Sequence, residues 1–311
     1  MIESFIRDEL RDYLARIPGL EYDLLIDSWS KPLPEGFRVN TLKLPEEYIL
    51  ERLRKKNILF KKIPWARYGY VLDKEFELST TIEHMLGLIY LQGPVSMASV
   101  EALDPKPGEI ILDMCAAPGS KSTQISQILQ GSGVLIANDP VIDRCKALSS
   151  NLQRLGVYNV VVTTLDGRVF PKIVGEFFDR VLVDAPCSSL GIVSKDWSVV
   201  RSWSIHNVIR LSRLQSQLLR AAFDCLKLGG TLVYSTCTLT VEENELVVHN
   251  LLRSRSNAYI EEVKLNGLRY EEGLTEWDDM KLSDELSKSL RIYPYHNNAE
   301  GFYIVKIRKG S

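Results

Sequence analysis

A doubly wound α/β domain with a small α+β unit ahead of it is the fold this sequence predicts. Three observations lead there. From about residue 94, near-continuous apolar runs alternate with stretches of helical length, the pattern of parallel strands buried on both faces. Successive runs stop on an aspartate or a small-residue turn, as strands do at the ligand edge of such a sheet. The segment before residue 94 lacks this alternation and mixes short strands with a charged helix.

The elements follow in order. Residues 1–36 hold an amphipathic helix with Ile6, Leu10, Tyr13, Leu14 and Ile17 on one face, stopped by Pro18-Gly19. The proline-rich KPLPEG (31–36) reads as a linker. A strand (FRVNTL), a charged helix (PEEYILERLRKKN) and two strands around Phe60 and Tyr70 make the small unit. Then EIILDMC (109–115) leads to a helix over 121–130, and VLIAND (134–139) to one over 141–155. VVVTTLD (160–166), FDRVLVDAP (178–186), a helix over 206–227 and GTLVYSTC (230–237) come next. The acidic, irregular stretch 257–300 is expected to be a surface insertion, and FYIVKIRK (302–309) a last strand. Two domains are expected, 1–93 and 94–311.

The 311 residues are 45% hydrophobic and 25% charged, ordinary for a globular protein, with a net charge of −2. Residues 38–67 nevertheless carry nine Lys/Arg against three Glu. Such a run is ordinarily a solvated helix face; the sharper alternative is a platform for RNA phosphates. MIESFIRDELRDYL has no apolar signal-peptide core, and no run of 18 apolar residues exists to span a membrane. Five cysteines without a CxxC pair, and four scattered histidines, point away from both a disulfide framework and zinc. A reducing, cytoplasmic compartment is expected.

The chemistry concentrates at the strand ends. DMCAAPGSKS (113–122) is a turn of small residues that lets a ligand approach backbone, yet it is neither GxGxxG nor a P-loop, and alone it could be empty. Asp139 is placed like a ribose-binding carboxylate, and Asp166 and Asp184 end the next two runs. Each could cap a helix. Three on successive strands of one sheet favour a nucleoside ligand. Cys115, Cys145 and Cys225 read as packing residues. Cys187 and Cys237 lie just past strand ends, facing the expected cleft. A thiol is only partly ionised at neutral pH but is a strong nucleophile. Two thiols and an aspartate beside a nucleoside suit covalent activation of a pyrimidine ring.

Beyond these residues, the sequence resembles the Sun/Fmu family of RNA 5-methylcytosine methyltransferases. The matching stretches are RVNTLK (38–43), DMCAAPGSKS (113–122), ANDPVIDR (137–144), DAPCSSLG (184–191), YSTCTLTVEENE (234–245) and YPYHNNAEGFYIVKIRK (293–309), in family order over almost the whole chain. The resemblance implies a Rossmann-like methyltransferase sheet, mostly parallel with an antiparallel last strand, and S-adenosyl-L-methionine as cofactor. Cys115, Ala116, Ala117, Pro118, Gly119, Ser120 and Lys121 would wrap its methionine part. Asp139 would take the ribose hydroxyls with Arg144 nearby, and Asp166 the adenine. Cys237 would be the nucleophile adding to cytosine carbon 6. Asp184 would face nitrogen 3, and Cys187 would help remove the carbon 5 proton and release the enzyme. Lys121 either caps packing at the helix start, neutralises Asp184 or touches the base.

Two departures stand out: SSLG where the family often has SGxG, and Val241 where proline is common. A DNA methyltransferase, with Cys187 as nucleophile, is opposed by the intact Ser-Thr-Cys of 235–237 and by RVNTLK. A non-catalytic RNA-binding assembly factor is the other alternative. The substrate expected is RNA, tRNA ahead of rRNA, for a monomer with neither metal nor membrane. Trp197 and Trp203 could stack on a base or pack in the core.

Overall fold

In the computed structural model, residues 5–310 are described; the first four residues of the N-terminal segment lie outside them. Four short strands, β1 (Gly36–Val39), β2 (Phe60–Lys62), β3 (Gly69–Leu72) and β4 (Ile89–Leu91), form an antiparallel sheet in the order β2-β3-β1-β4. The amphipathic helix Glu46–Lys55 buries Ile49, Leu50 and Leu53 against it, beside Phe37, Phe60 and Tyr70.

The large sheet begins with β5 (Ile110–Asp113), β6 (Val134–Asn138), β7 (Val160–Thr163), β8 (Phe178–Asp184) and β9 (Leu226–Thr236). All pair in parallel, in the order β9-β8-β5-β6-β7. The chain therefore reverses its winding between β5 and β8, the place where such sheets open a ligand crevice. The helices Ser120–Leu129, Ile142–Leu155 and Ile205–Asp224 fall within a few residues of expectation.

The stretch expected as a surface insertion is corrected. It contributes β10 (Ala258–Glu261), β11 (Glu271–Glu272), a hairpin of β12 (Glu276–Trp277) and β13 (Met280–Lys281), and β14 (Leu290–Ile292). Strands β10 and β14 pair antiparallel with β15 (Phe302–Lys309), which pairs antiparallel with β9. Trp277, Leu282 and Leu286 enter the core. Strands of two to four residues are too short to show a hydrophobic period.

The N-terminal helix runs Asp8–Ala15 and is followed by one the sequence did not announce, Tyr22–Ser30. Leu10, Leu14, Leu25 and Trp29 are fully buried in the core of the large sheet rather than in the small one. Each buried leucine contributes about 1.5–3 kcal/mol, so these helices are held firmly to the large sheet. Trp203 lies tilted against Tyr13 with ring centroids 5.2 Å apart, and Trp197 tilted against Phe5 at 6.2 Å. Both tryptophans serve packing.

Candidate active site

The carboxyl ends of β5, β6, β8 and β9 surround two chambers that share Asp184 and Cys237. One, of about 480 Å³, is lined by Cys115, Ala117, Asp139, Arg144, Asp166 and Cys187. The other, of about 260 Å³, is lined by Pro118, Ser120, Lys121, Glu300 and Phe302. Ala116 and Gly119 build the turn between them. Gly119 has φ +109°, where any side chain is strained, and a Cβ there would lie 3.0 Å from Leu148. That turn aims the helix Ser120–Leu129 at the junction.

At the junction the two sulfurs of Cys187 and Cys237 lie 3.3 Å apart. Fifty residues separate them in sequence, but β8 and β9 are neighbours, and Asp184 pairs with Ser235 in register. The Cys187 thiol hydrogen-bonds the Cys237 sulfur, which holds Cys237 below the ordinary thiol range; nearby Lys121 helps, while burial and Asp184 oppose. The same hydrogen bond, with burial and Glu243, pushes Cys187 up. The asymmetry comes chiefly from the shared hydrogen bond, which favours the thiolate at Cys237 and the thiol at Cys187.

Asp184 accepts a hydrogen bond from Ser235 Oγ (2.8 Å) and forms an ion pair with Lys121 Nζ (2.7 Å). Lys121 is buried, donates to Ser96 Oγ at 2.8 Å, and sits 5.4 Å from the Phe302 ring. Burial pulls its ammonium down, but Asp184, with Cys237 and Asp113, turns the net direction up. Of the three roles open to Lys121, neutralising Asp184 is the one the geometry displays.

Asp139 is fully buried in the larger chamber. Its Oδ1 accepts from Val141 N at 3.1 Å, whereas Oδ2 has no hydrogen-bond partner. Arg144 Nη1 comes within 3.1 Å of Oδ2, an ion pair misaligned for a hydrogen bond, and its Nη2 donates to Ala117 O. Asp166 is half-buried and grasped by Arg168 through Nε and Nη2, which keeps its carboxyl below the usual range. Cys115 lines the chamber with a thiol raised by burial, while Cys145 and Cys225 are buried.

Several residues escaped sequence reading. Asp113, at the end of β5, is fully buried, accepts from Ser122 Oγ (2.6 Å), and is pushed by burial to about 7. Glu243 ties the two cysteine loops together: it accepts from Ser188 N (2.9 Å), Gln215 Nε2 (2.9 Å) and Thr240 Oγ1 (2.7 Å). The three glutamates in VEENE gave no signal that Glu243 and Glu245 are buried and Glu242 is not. Ser189 has φ +63°, the left-handed region, which explains why glycine suits that position in SGxG. Its Oγ lies 3.7 Å from the Cys237 sulfur. Val241 keeps a backbone N–H that proline would lack, and donates it to Tyr13 (2.9 Å), fastening the N-terminal helix to this loop.

The cations of the basic stripe are largely paired within the protein. Arg38 is buried and binds Gln92 beside the small sheet and Thr123 and Gln127 on the helix Ser120–Leu129. Lys43 donates to two backbone carbonyls. Arg52 and Lys56 share buried Glu83, Arg54 pairs with Glu47, Lys55 with Glu51, Lys61 with Asp73, Lys62 with Glu46, and Arg67 with Glu101 and Asp104. Four of those acids lie outside the window in which the charge excess was counted. Among the described residues, no His/Cys/Asp/Glu group could hold a metal ion, and no helix is long and apolar enough to cross a membrane.

Comparison with known proteins agrees with this geometry. The family model described as 16S rRNA methyltransferase RsmB/F matches residues 100–308, and that of the N-terminal domain of 16S rRNA methyltransferase RsmF matches 5–94. A tRNA (cytosine(49)-C(5))-methyltransferase of Pyrococcus abyssi is 47% identical over 281 residues, covering 90% of this chain and 89% of its own. Ribosomal RNA small subunit methyltransferase F of Vibrio campbellii is 39% identical over 93% of this chain, which spans 60% of that protein. Among solved structures, a methyltransferase homolog from Pyrococcus horikoshii superposes with a TM-score of 0.86 at 37% identity, covering 98% of this chain and 99% of its own. NSun6 from the same organism, solved with SFG, gives 0.85 at 26%, covering 98% of each. With matched models and relatives spanning nearly its full length, the chain belongs to the RsmB/F (Sun/Fmu) family of methyltransferases.

Proposed function

We propose that the protein is an RNA cytosine-C5 methyltransferase that modifies tRNA and takes its methyl group from S-adenosyl-L-methionine. The observation that carries this reading is the junction itself: two sulfurs 3.3 Å apart beside an Asp184–Lys121 pair, where two chambers meet. The Pyrococcus abyssi relative, similar in length and acting on tRNA, favours tRNA over rRNA.

The larger chamber suits the cofactor. Asp139 Oδ2, buried and lacking a hydrogen bond, is completed by a ribose hydroxyl, with Arg144 beside it. The turn Cys115–Lys121 faces the methionine part, and Asp166 the adenine. Bound there, S-adenosylmethionine supplies an electrophilic methyl group. The smaller chamber receives the flipped cytosine, whose extrusion costs a few kcal/mol.

The residues then act in turn. Cys237, biased towards thiolate, adds to carbon 6, and the ring electrons shift towards carbon 5. Asp184, backed by Lys121, stabilises the charge and proton at nitrogen 3. Splitting the reaction through this adduct replaces one hard step by two easier ones. After transfer, Cys187, once it has released its own proton to solvent, takes the carbon 5 proton as a thiolate, the ring electrons re-form the double bond, and the Cys237 sulfur departs with the electrons of its bond to carbon 6. In this reading residues 1–93 position the RNA and 94–311 perform the chemistry, in a cytoplasmic monomer.

A tritiated-methyl assay on bulk tRNA and rRNA tests the proposal. Wild type labels tRNA; Cys237→Ala labels nothing; Cys187→Ala accumulates an RNA adduct that survives SDS. No incorporation despite cofactor binding would favour a non-catalytic RNA-binding factor, and an adduct lost in Cys187→Ala but kept in Cys237→Ala would reverse the two roles.

A further inference from the structure

One buried group in the smaller chamber has no protein partner. Glu300, just ahead of β15, is 2% exposed, and its Oε2 makes no hydrogen bond. It shares the chamber wall with Tyr90, Gln92, Lys121, Asp184 and Cys237. Gly93 makes room for it: a Cβ there would fall 1.3 Å from Glu300 Oε1. Lys121 does not complete it, being committed to Asp184 and Ser96. Folded proteins seldom leave such an oxygen unpaired, because it has lost its water and gained nothing. Placed in a ligand chamber, it calls for a ligand with N–H donors.

Cytosine and uracil differ at ring position 4, where one bears an amino group and the other a carbonyl. Resting on the methyltransferase reading above, we propose that Glu300 reads the exocyclic amino group of the target cytosine. Its carboxyl oxygen accepts an N–H from that group, and the same oxygen repels the carbonyl of uracil. Asp184 remains free to face nitrogen 3. Glu300 is thus a specificity-determining residue supplied by the C-terminal stretch, outside both cysteine motifs. A site built around a hydrogen bond discriminates strongly, since the wrong ligand leaves its buried group unpaired.

The test uses full-length wild type, Glu300→Ala and the isosteric Glu300→Gln, on a tRNA transcript that wild type methylates. The target nucleotide is either cytidine or a 2-pyrimidinone riboside, which has hydrogen in place of the amino group. Wild type is expected to prefer cytidine by about 10- to 100-fold more than Glu300→Ala does. Glu300→Gln, whose amide can donate to a carbonyl, is expected to form an SDS-resistant adduct with 5-fluorouridine at the target, which wild type refuses. Equal calorimetric affinity for S-adenosylmethionine verifies that the variants are folded. Should Glu300→Ala fail that check, the same preference ratio is taken on Glu300→Met, whose side chain fills the space without a comparable acceptor. A ratio shared by wild type and variant overturns the assignment of Glu300 while leaving the methyltransferase reading intact. No methyl transfer by wild type to any tRNA or rRNA would instead take both down.

Discussion

The strand-end junction and the stripe 38–67 are the two most charge-rich places singled out in this molecule, and they behave in opposite ways. In the stripe, charge is abundant and satisfied: the exposed cations lie against carboxylates of the same surface. At the junction the fold leaves oxygens of Asp113, Asp139 and Glu300 buried without hydrogen bonds, and pushes two neighbouring thiols in opposite directions. Unpaired carboxyl oxygens gathered around one cleft, rather than density of charge, mark the candidate site. Perturbed, desolvated groups in a cleft are where a ligand or reaction has something to complete.

The sharpest way to break this contrast is at Asp184. Asp184→Asn should slow single-turnover methyl transfer by about 10²–10⁴-fold, with the loss in the chemical step rather than in cofactor binding. An unchanged rate would mean the Asp184–Lys121 pair is mere packing.

Next comes Asp113, whose carboxyl is raised by burial, with Asp184 adding to the effect against the Ser122 hydrogen bond. Its folded value of about 7 lies above an unfolded value of about 3.9, so its stabilising contribution is complete below pH ~4 and lost as pH rises to about 7. The loss is on the order of 4 kcal/mol. Asp113→Asn removes that slope, and its melting temperature should gain on wild type steadily between pH 4 and 7. Parallel melting curves would contradict the assignment.

A smaller effect is expected at Asp139, where replacement by Ala should weaken S-adenosylmethionine binding by about 10- to 100-fold in titration calorimetry. A change under twofold would move the ribose elsewhere. Smallest of all, Lys55→Ala and Lys61→Ala should each leave the melting temperature almost unchanged, because exposed ion pairs contribute little. Filter-binding affinity for tRNA should shift by less than about threefold. A tenfold loss there would restore the stripe as a phosphate platform.

Much of the fold was legible because its signals are local. Strands β5 to β9 are apolar runs bounded by turns, and their helices begin and end where small residues and Gly119 require. The helix Tyr22–Ser30 went unseen since its aliphatic residues Leu24, Leu25 and Ile26 stand consecutively and show no helical period, and β10 and β14 since they are three or four residues long. At the site, Cys187, Cys237, Asp139 and Asp184 were legible from their position after strands. Asp113, Glu243 and Glu300 were not, because burial, which gives each its meaning, depends on residues far away in the chain.

The sequence by itself determined the periodic elements, their order, and which side chains stand at the strand ends, since these rest on propensity and pattern among near neighbours. Only the tertiary structure decided which charges cancel and which remain. Pairing Arg67 with Glu101, bringing Cys187 to 3.3 Å from Cys237, and stranding Glu300 beside Gly93 are matters of distance and solvent exclusion. Electrostatic energy depends on both, and neither is written in any local stretch of residues.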